Sequence, residues 1–135
     1  MSKTLKVKII TLNNIIVKEN IFKIFIKSKD GKLEVMAGHA PMITSIVPNI
    51  TILEDLDGNK TELFTSKGVV NISDDEAVFC CDAAETKDEI DLERAKKAKD
   101  RAIERLKEQS IYDVERAKSS LERAELRINF KGNSK

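Results

Sequence analysis

All six arginines of this 135-residue chain follow Ile90, and they form two copies of one pattern. Arg94, Arg101 and Arg105 are spaced seven and then four residues apart, and Arg116, Arg123 and Arg127 repeat that spacing 22 residues later. Apolar positions keep the same offset, pairing Leu92 with Val114, Ala95 with Ala117, Ala102 with Ala124 and Leu106 with Ile128. Spacings of three, four and seven put side chains on one face of a helix. The repeat therefore predicts two amphipathic helices with matching apolar seams and matching arginine rows. Joined by the short polar stretch Glu108, Gln109, Ser110, they read as an antiparallel hairpin.

The preceding part has no arginine and a different period. Leu5, Val7 and Ile9 alternate with Lys6 and Lys8, and Phe22, Ile24 and Ile26 with Lys23 and Lys27, which is the two-residue rhythm of half-buried strands. Lys29-Asp30-Gly31-Lys32 is a turn signal, with Leu33 and Val35 resuming the alternation. Asp57-Gly58 centres a hairpin between Ile50–Leu53 and Thr61–Phe64. Val69, Val70 and Ile72 form another strand, and Asp74-Asp75 turns it into Ala77–Cys81. The expected fold is β + α: an antiparallel β sandwich or flattened barrel over residues 1–86, then the two-helix hairpin over residues 87–135.

Composition excludes several functions. The net charge is +1, and the split after Lys87 leaves 11 Lys against 12 acids before it and 13 Lys/Arg against 11 acids after it. No global field draws such a chain to nucleic acid or to an anionic membrane. No apolar run approaches the length that spans a bilayer, and the first residues open directly into strand alternation rather than a leader. Any membrane association is expected to run through partners. Adjacent Cys80 and Cys81 point to opposite faces of a strand and cannot close an ordinary disulfide, so they read as reduced thiols.

Catalytic chemistry has little support. The glycines are scattered at 31, 38, 58, 68 and 132, and none builds a phosphate-cradling loop. His39 is the one histidine, with no ligand-spaced Cys or carboxylate, so no metal site is expected. Within Gly38-His39-Ala40-Pro41, glycine and proline shape the loop, and His39 reads as an interface residue.

The helical part is marginal. Leu92, Ala95, Ala98, Ala102 and Leu106 face inward on the first helix, and Val114, Ala117, Leu121, Ala124 and Ile128 on the second. Five of these are alanines, each contributing roughly 0.8 kcal/mol, against about 1–2 kcal/mol to order each backbone residue. Such a hairpin can be tipped by a ligand or a docking surface. Asp91 is the expected N-cap, with Ile90 stapled against Ala95. Arg94 and Arg116 have acids three residues back (Asp91 and Asp113), and Arg101 and Arg105 can pair with Glu104 and Glu108. Arg123 and Arg127 have no acid at three or four residues, so they are expected either to be solvated or to await a phosphate or an acidic partner.

Three stretches resemble the epsilon subunit family of rotary F-type ATP synthases. Gly31-Lys32-Leu33-Glu34-Val35-Met36-Ala37-Gly38-His39-Ala40-Pro41 is similar to the family segment G-x-L-x-(I/V)-x-P-G-H-A-P. Ser66-Lys67-Gly68-Val69-Val70 resembles its S-G-G-x-x strand, and Ile90-Asp91-Leu92-Glu93-Arg94-Ala95 fits its (I/L)-D-x-x-R-A motif. Ala37, Lys67 and Glu34 depart from the usual Pro, Gly and Gly.

The resemblance, covering essentially the whole chain, implies a non-catalytic rotor subunit on the cytoplasmic face of the bacterial plasma membrane. It implies that Asp30, Gly31 and Lys32 face the c-subunit ring, and that Gly38, His39, Ala40 and Pro41 face the gamma subunit. The hairpin would alternate between a folded form and an extended one that reaches the alpha/beta catalytic head and opposes hydrolysis. It also implies no obligatory cofactor but a regulatory ATP in the folded form, held by Glu85, Ile90, Asp91, Arg94, Ala95, Arg116, Arg123 and Arg127. A free-standing ATP-sensing adaptor and an RNA- or protein-binding hairpin are the competing readings.

Overall fold

The computed structural model describes residues 3–107 and 114–132. Glu108, Gln109, Ser110 and Asp113, to which the sequence assigned the connection and two arginine partners, lie outside the described residues, as does the Val114 side chain. The chain divides into two compact units, Met1–Ala84 and Glu85–Lys135.

The first unit is built from β1 (Leu5–Ile10), β2 (Ile15–Ser28), β3 (Gly31–Met36), β4 (Met42–Ile46), β5 (Asn49–Asp55), β6 (Lys60–Thr65), β7 (Gly68–Ser73) and β8 (Glu76–Cys81), and the two-residue β9 (Ala84–Glu85) ends the strand order. The order is β1-β8-β7-β4-β2-β5-β6-β9, with β3 on β2, and β1 also pairs β2. That last pairing closes the strands into a flattened barrel. Closure depends on the length of β2, which at 14 residues serves both layers. Its first part pairs with β1 and its second with β3 and β5. Between them Asn20 takes a positive φ of 61° and the register slips, so the strand bends instead of running flat.

The alternation in the sequence maps onto the core. Leu5, Val7, Ile9, Ile24, Ile26, Val35, Leu53, Leu63, Val70, Ile72 and Phe79 are buried together. The Asp57-Gly58 hairpin closes β5 on β6 in the expected register, Ile50 opposite Phe64 and Ile52 opposite Glu62. Asp55 accepts the N–H groups of Asp57 (2.9 Å) and Asn59 (3.0 Å). Burial pushes its carboxyl up, but the backbone N–H groups of Asn59 and Asp57, the Asn59 side-chain amide and the Gly58 N–H outweigh it, so it lies below the ordinary range.

Gly68 shows a sterically fixed glycine. It pairs with Cys81 across β7 and β8, and a Cβ there would lie 2.2 Å from the Cys80 carbonyl oxygen and 2.7 Å from the Cys81 Cα. Cys80 is exposed and Cys81 buried, on opposite faces as neighbours on a strand must be. Burial, with Asp82 and Cys80 nearby, pushes the Cys81 thiol up to about 11.

The second unit holds α1 (Leu92–Lys107) and α2 (Val114–Gly132), packed on each other. Asp91 caps α1, its Oδ1 accepting the Arg94 N–H at 3.1 Å. Ala95, Ala102, Ala117 and Ala124 are fully or nearly fully buried along the seam, whereas Leu92, Ala98, Leu106, Leu121 and Ile128 are half-buried. Along the seam the buried residues described are thus its smallest side chains.

Candidate functional site

The loop Gly38–Pro41 runs from β3 into β4. Gly38 has a φ of 85°, and its N–H donates to the Asp75 carboxylate at 2.7 Å, across 37 residues of sequence. Asp75 sits in the β7–β8 turn at a φ of 59° and also accepts the Lys6 N–H through its carbonyl (3.0 Å). The loop is therefore fixed to the body of the unit. His39 stands in it exposed, with Nδ1 2.7 Å from the Ala40 carbonyl oxygen. The sequence marked Asp74-Asp75 only as a turn, since a bond over such a separation leaves no local signal.

Beside that loop the outer face of the unit is apolar. Register places Ile10 beside Ile15 and Cys80, Cys80 beside Val69, and Val69 beside Ser45. Residues two apart share a face, which adds Val17, Val78 and Ile43. Ile43 is 70% exposed and Ile15 57%, with Val17 and Val69 also exposed. Exposed and half-buried apolar residues thus recur across five strands of one face, with Lys8, Asn71 and Ser45 set among them, and a surface of that kind is a mark of a docking site. The alternation marked the inner face of these strands, but the apolar residues Ile10, Val69, Val78 and Cys80 on the outer face come from three strands, and only the sheet register brings them together.

At the other end of the unit the turn after β2 carries Asp30 and Gly31, with Lys32 entering β3 and Gly31 at a φ of 138°. Ser28 Oγ donates to the Gly31 carbonyl at 2.9 Å and accepts the Asp30 N–H at 3.2 Å, which holds the turn in one shape.

In the hairpin unit, Arg127 Nε donates to Glu85 Oε1 at 2.6 Å. Arg127 thus has an acidic partner that its neighbours in sequence do not reveal, since the acid lies 42 residues away, and its side chain stays partly exposed. Arg123 donates to Ser120 Oγ at 3.1 Å. Ile90 and Ala95 are buried, Asp91 is engaged as the cap, and Arg94 and Arg116 are exposed. Lys131 Nζ donates to the Lys87 carbonyl at 3.0 Å, so the start of α1 and the end of α2 lie together. Glu85, Ile90, Asp91, Ala95, Arg123 and Arg127 therefore gather at one end of the hairpin. Arg116 does not join them: eleven residues before Arg127, it lies about 16 Å back along α2. Phe130, buried, and Lys87, whose ammonium lies 5.3 Å over its ring, complete that end. Sequence reading passed over both; the signal was an aromatic at the end of a helix otherwise without one.

Among the described residues no group of three or more His, Cys, Asp or Glu is placed to hold a metal ion, and no helix is long and apolar enough to cross a membrane.

Comparison with known proteins matches both units. Residues 4–87 fit the family model of the ATP synthase Delta/Epsilon chain, beta-sandwich domain, and residues 88–132 that of the Delta/Epsilon chain, long alpha-helix domain. A protein of Clostridium botulinum (strain Eklund 17B), named ATP synthase epsilon chain, is 44% identical over 97% of this chain and 98% of its own. One of Clostridium novyi with the same name is 39% identical over 96% and 99%. Among solved structures, a chain of the Euglena gracilis mitochondrial ATP synthase superimposes with a TM-score of 0.78 at 22% identity, covering 91% of this chain and 78% of that one. At that identity the likeness is one of fold.

Proposed function

The chain belongs to the ATP synthase delta/epsilon chain family, and from that premise we propose that it works as the epsilon subunit in the central stalk of a bacterial F-type ATP synthase. It carries no catalytic residue; its task is to couple the ring to the stalk and to restrain ATP hydrolysis. The observation that carries the reading is the set of exposed apolar residues Ile15, Val17, Val69 and Ile43 on one face, which runs on into the anchored loop Gly38–Pro41. That surface, flanked by loop polar groups, suits a lasting protein partner, and the gamma subunit is the one the family supplies. Asp30, Gly31 and Lys32, at the opposite end, face the c-subunit ring. The protein meets the membrane through these partners, on its cytoplasmic face.

The hairpin is the regulatory part. In its folded form a regulatory ATP lies at the gathered end, with phosphates on Arg123 and Arg127, Arg116 further along the row, and the adenine side against the segment Ile90–Ala95 with Glu85. In its extended form the same arginines meet acidic groups of the alpha/beta catalytic head. A ligand at 100 times its Kd adds about 2.7 kcal/mol to the form it binds, which is enough to tip a seam of alanines. Of the described aromatics, Phe64, Phe79 and Phe130 are buried and Phe22 and Phe25 are half-buried on β2, so among the described residues no exposed aromatic stands beside the arginine rows as a stacking platform, and nothing favours a nucleic-acid reading.

Two experiments test the proposal. Replacing Ile43 and Val69 together by Lys is expected to weaken binding to purified gamma at least 100-fold, since two apolar anchors are lost and two charges desolvated; unchanged affinity removes the assigned face. Calorimetric titration with ATP and then ADP is expected to show saturable binding, tighter for ATP. Arg123→Ala or Arg127→Ala should then weaken it about tenfold or more, and unaltered affinity rules this site out.

A further inference from the structure

The alanine seam leaves the closed hairpin short of cohesive contacts, yet one end is tied by side chains of another kind. Within a single turn of α2, Arg127 takes Glu85 at 2.6 Å, Phe130 lies under the Lys87 ammonium at 5.3 Å, and Lys131 takes the Lys87 carbonyl at 3.0 Å. All three reach the same short segment, residues 85–90, just before α1. The segment is itself stiffened. Thr86 donates to Glu89 Oε1 from both N–H (3.1 Å) and Oγ1 (2.8 Å), the Glu89 N–H donates to the Thr86 carbonyl (3.1 Å), and Ile90 is buried.

We infer that residues 85–90 form a clasp that holds the second helix shut against the start of the first, with Glu85–Arg127 as its ionic element. The pair is neither a surface pair nor a buried one, its side chains being 29% and 25% exposed, so solvent screens it only in part. Phe130, buried and under the Lys87 ammonium, is the clasp's apolar element, and the Lys131 bond to a backbone carbonyl is indifferent to side-chain identity at position 87. Among the described residues, these contacts outside the seam lie where the end of α2 meets the start of α1, and they favour the closed form of the hairpin. Its use as a switch rests on the reading of the hairpin given above; its existence does not.

The test is amide hydrogen exchange on the full chain, without nucleotide or partner, so that its outcome is separate from that of the ATP titration. Glu85→Gln and Arg127→Gln should each speed exchange of the α2 amides from Ala124 to Phe130 by about five-fold, with the β unit unchanged. The reversed pair, Glu85→Arg with Arg127→Glu, should recover most of that protection. Single variants that exchange at the parent rate would overturn the clasp. So would a reversed pair as loose as the singles, because the effect would then come from lost packing rather than from the ion pair.

Discussion

The two units solve the burial problem in opposite ways. The β unit packs Leu, Ile, Val and Phe side chains from eight strands into one cluster, held by pairings far apart in sequence. The hairpin packs alanines along its seam, where the described larger side chains stay half-buried, and buries Ile90 and Phe130 where the end of α2 meets the start of α1. A buried leucine or phenylalanine contributes about 1.5–3 kcal/mol, and a methyl about 0.8. One unit is therefore over-determined by its core, while the described contacts of the other are an alanine seam and a few side chains where the end of α2 meets the start of α1. The proposed function would use both properties: a rigid body to transmit torque and an element whose state a ligand can change.

Substitutions probe that contrast unequally. The largest effect is expected at Gly68, where any Cβ collides with the backbone of Cys80 and Cys81. Gly68→Ala should cost about 4 kcal/mol or more, seen as loss of the cooperative β transition. Next comes Leu53→Ala in the core, expected to cost about 2–5 kcal/mol, set against Ala124→Gly in the seam at about 1 kcal/mol. Urea unfolding of both variants checks the ratio, and equal costs would break the comparison. Smaller still is the difference between the two thiols. Native chain should take up one equivalent of maleimide at Cys80 at neutral pH, because Cys81 is buried with its thiol pushed up to about 11. Two rapid equivalents would contradict the packing of β8 on its inner face.

The smallest effect concerns pH. The Asp55 carboxyl is held below its ordinary value in the folded chain, so its contribution to the β5–β6 turn is full above the unfolded value of 3.8 and is lost as pH falls through the lower folded value. The Asp57 and Asn59 amide resonances should shift in that acid window in the parent chain and not in Asp55→Asn, with the helical unit unaffected.

Much of this was legible in the sequence for reasons that differ by unit. Alternation over Leu5–Ile9, the Asp57-Gly58 turn and the 22-residue repeat are local signals, and local signals foretold strands, a hairpin and helices. The first part of β2 escaped, since Lys18, Glu19 and Asn20 interrupt its pattern and the strand exists only because β1 pairs with it. The candidate sites divide likewise. The Asp91 cap needs three residues and could be read off. The partners of Gly38 and Arg127 are 37 and 42 residues away, and no spacing rule reaches that far. Arg127 looks unpaired in its own helix because its acid, Glu85, precedes both helices.

The most direct test is urea unfolding of the Cys80→Ser chain followed by two probes at once, the helical circular dichroism signal and the reactivity of Cys81. The helical signal should fall at clearly lower urea than the concentration at which Cys81 becomes reactive, so that two transitions are resolved. Coincident curves would mean that the units unfold as one, and that the hairpin is not the conditional element of the molecule.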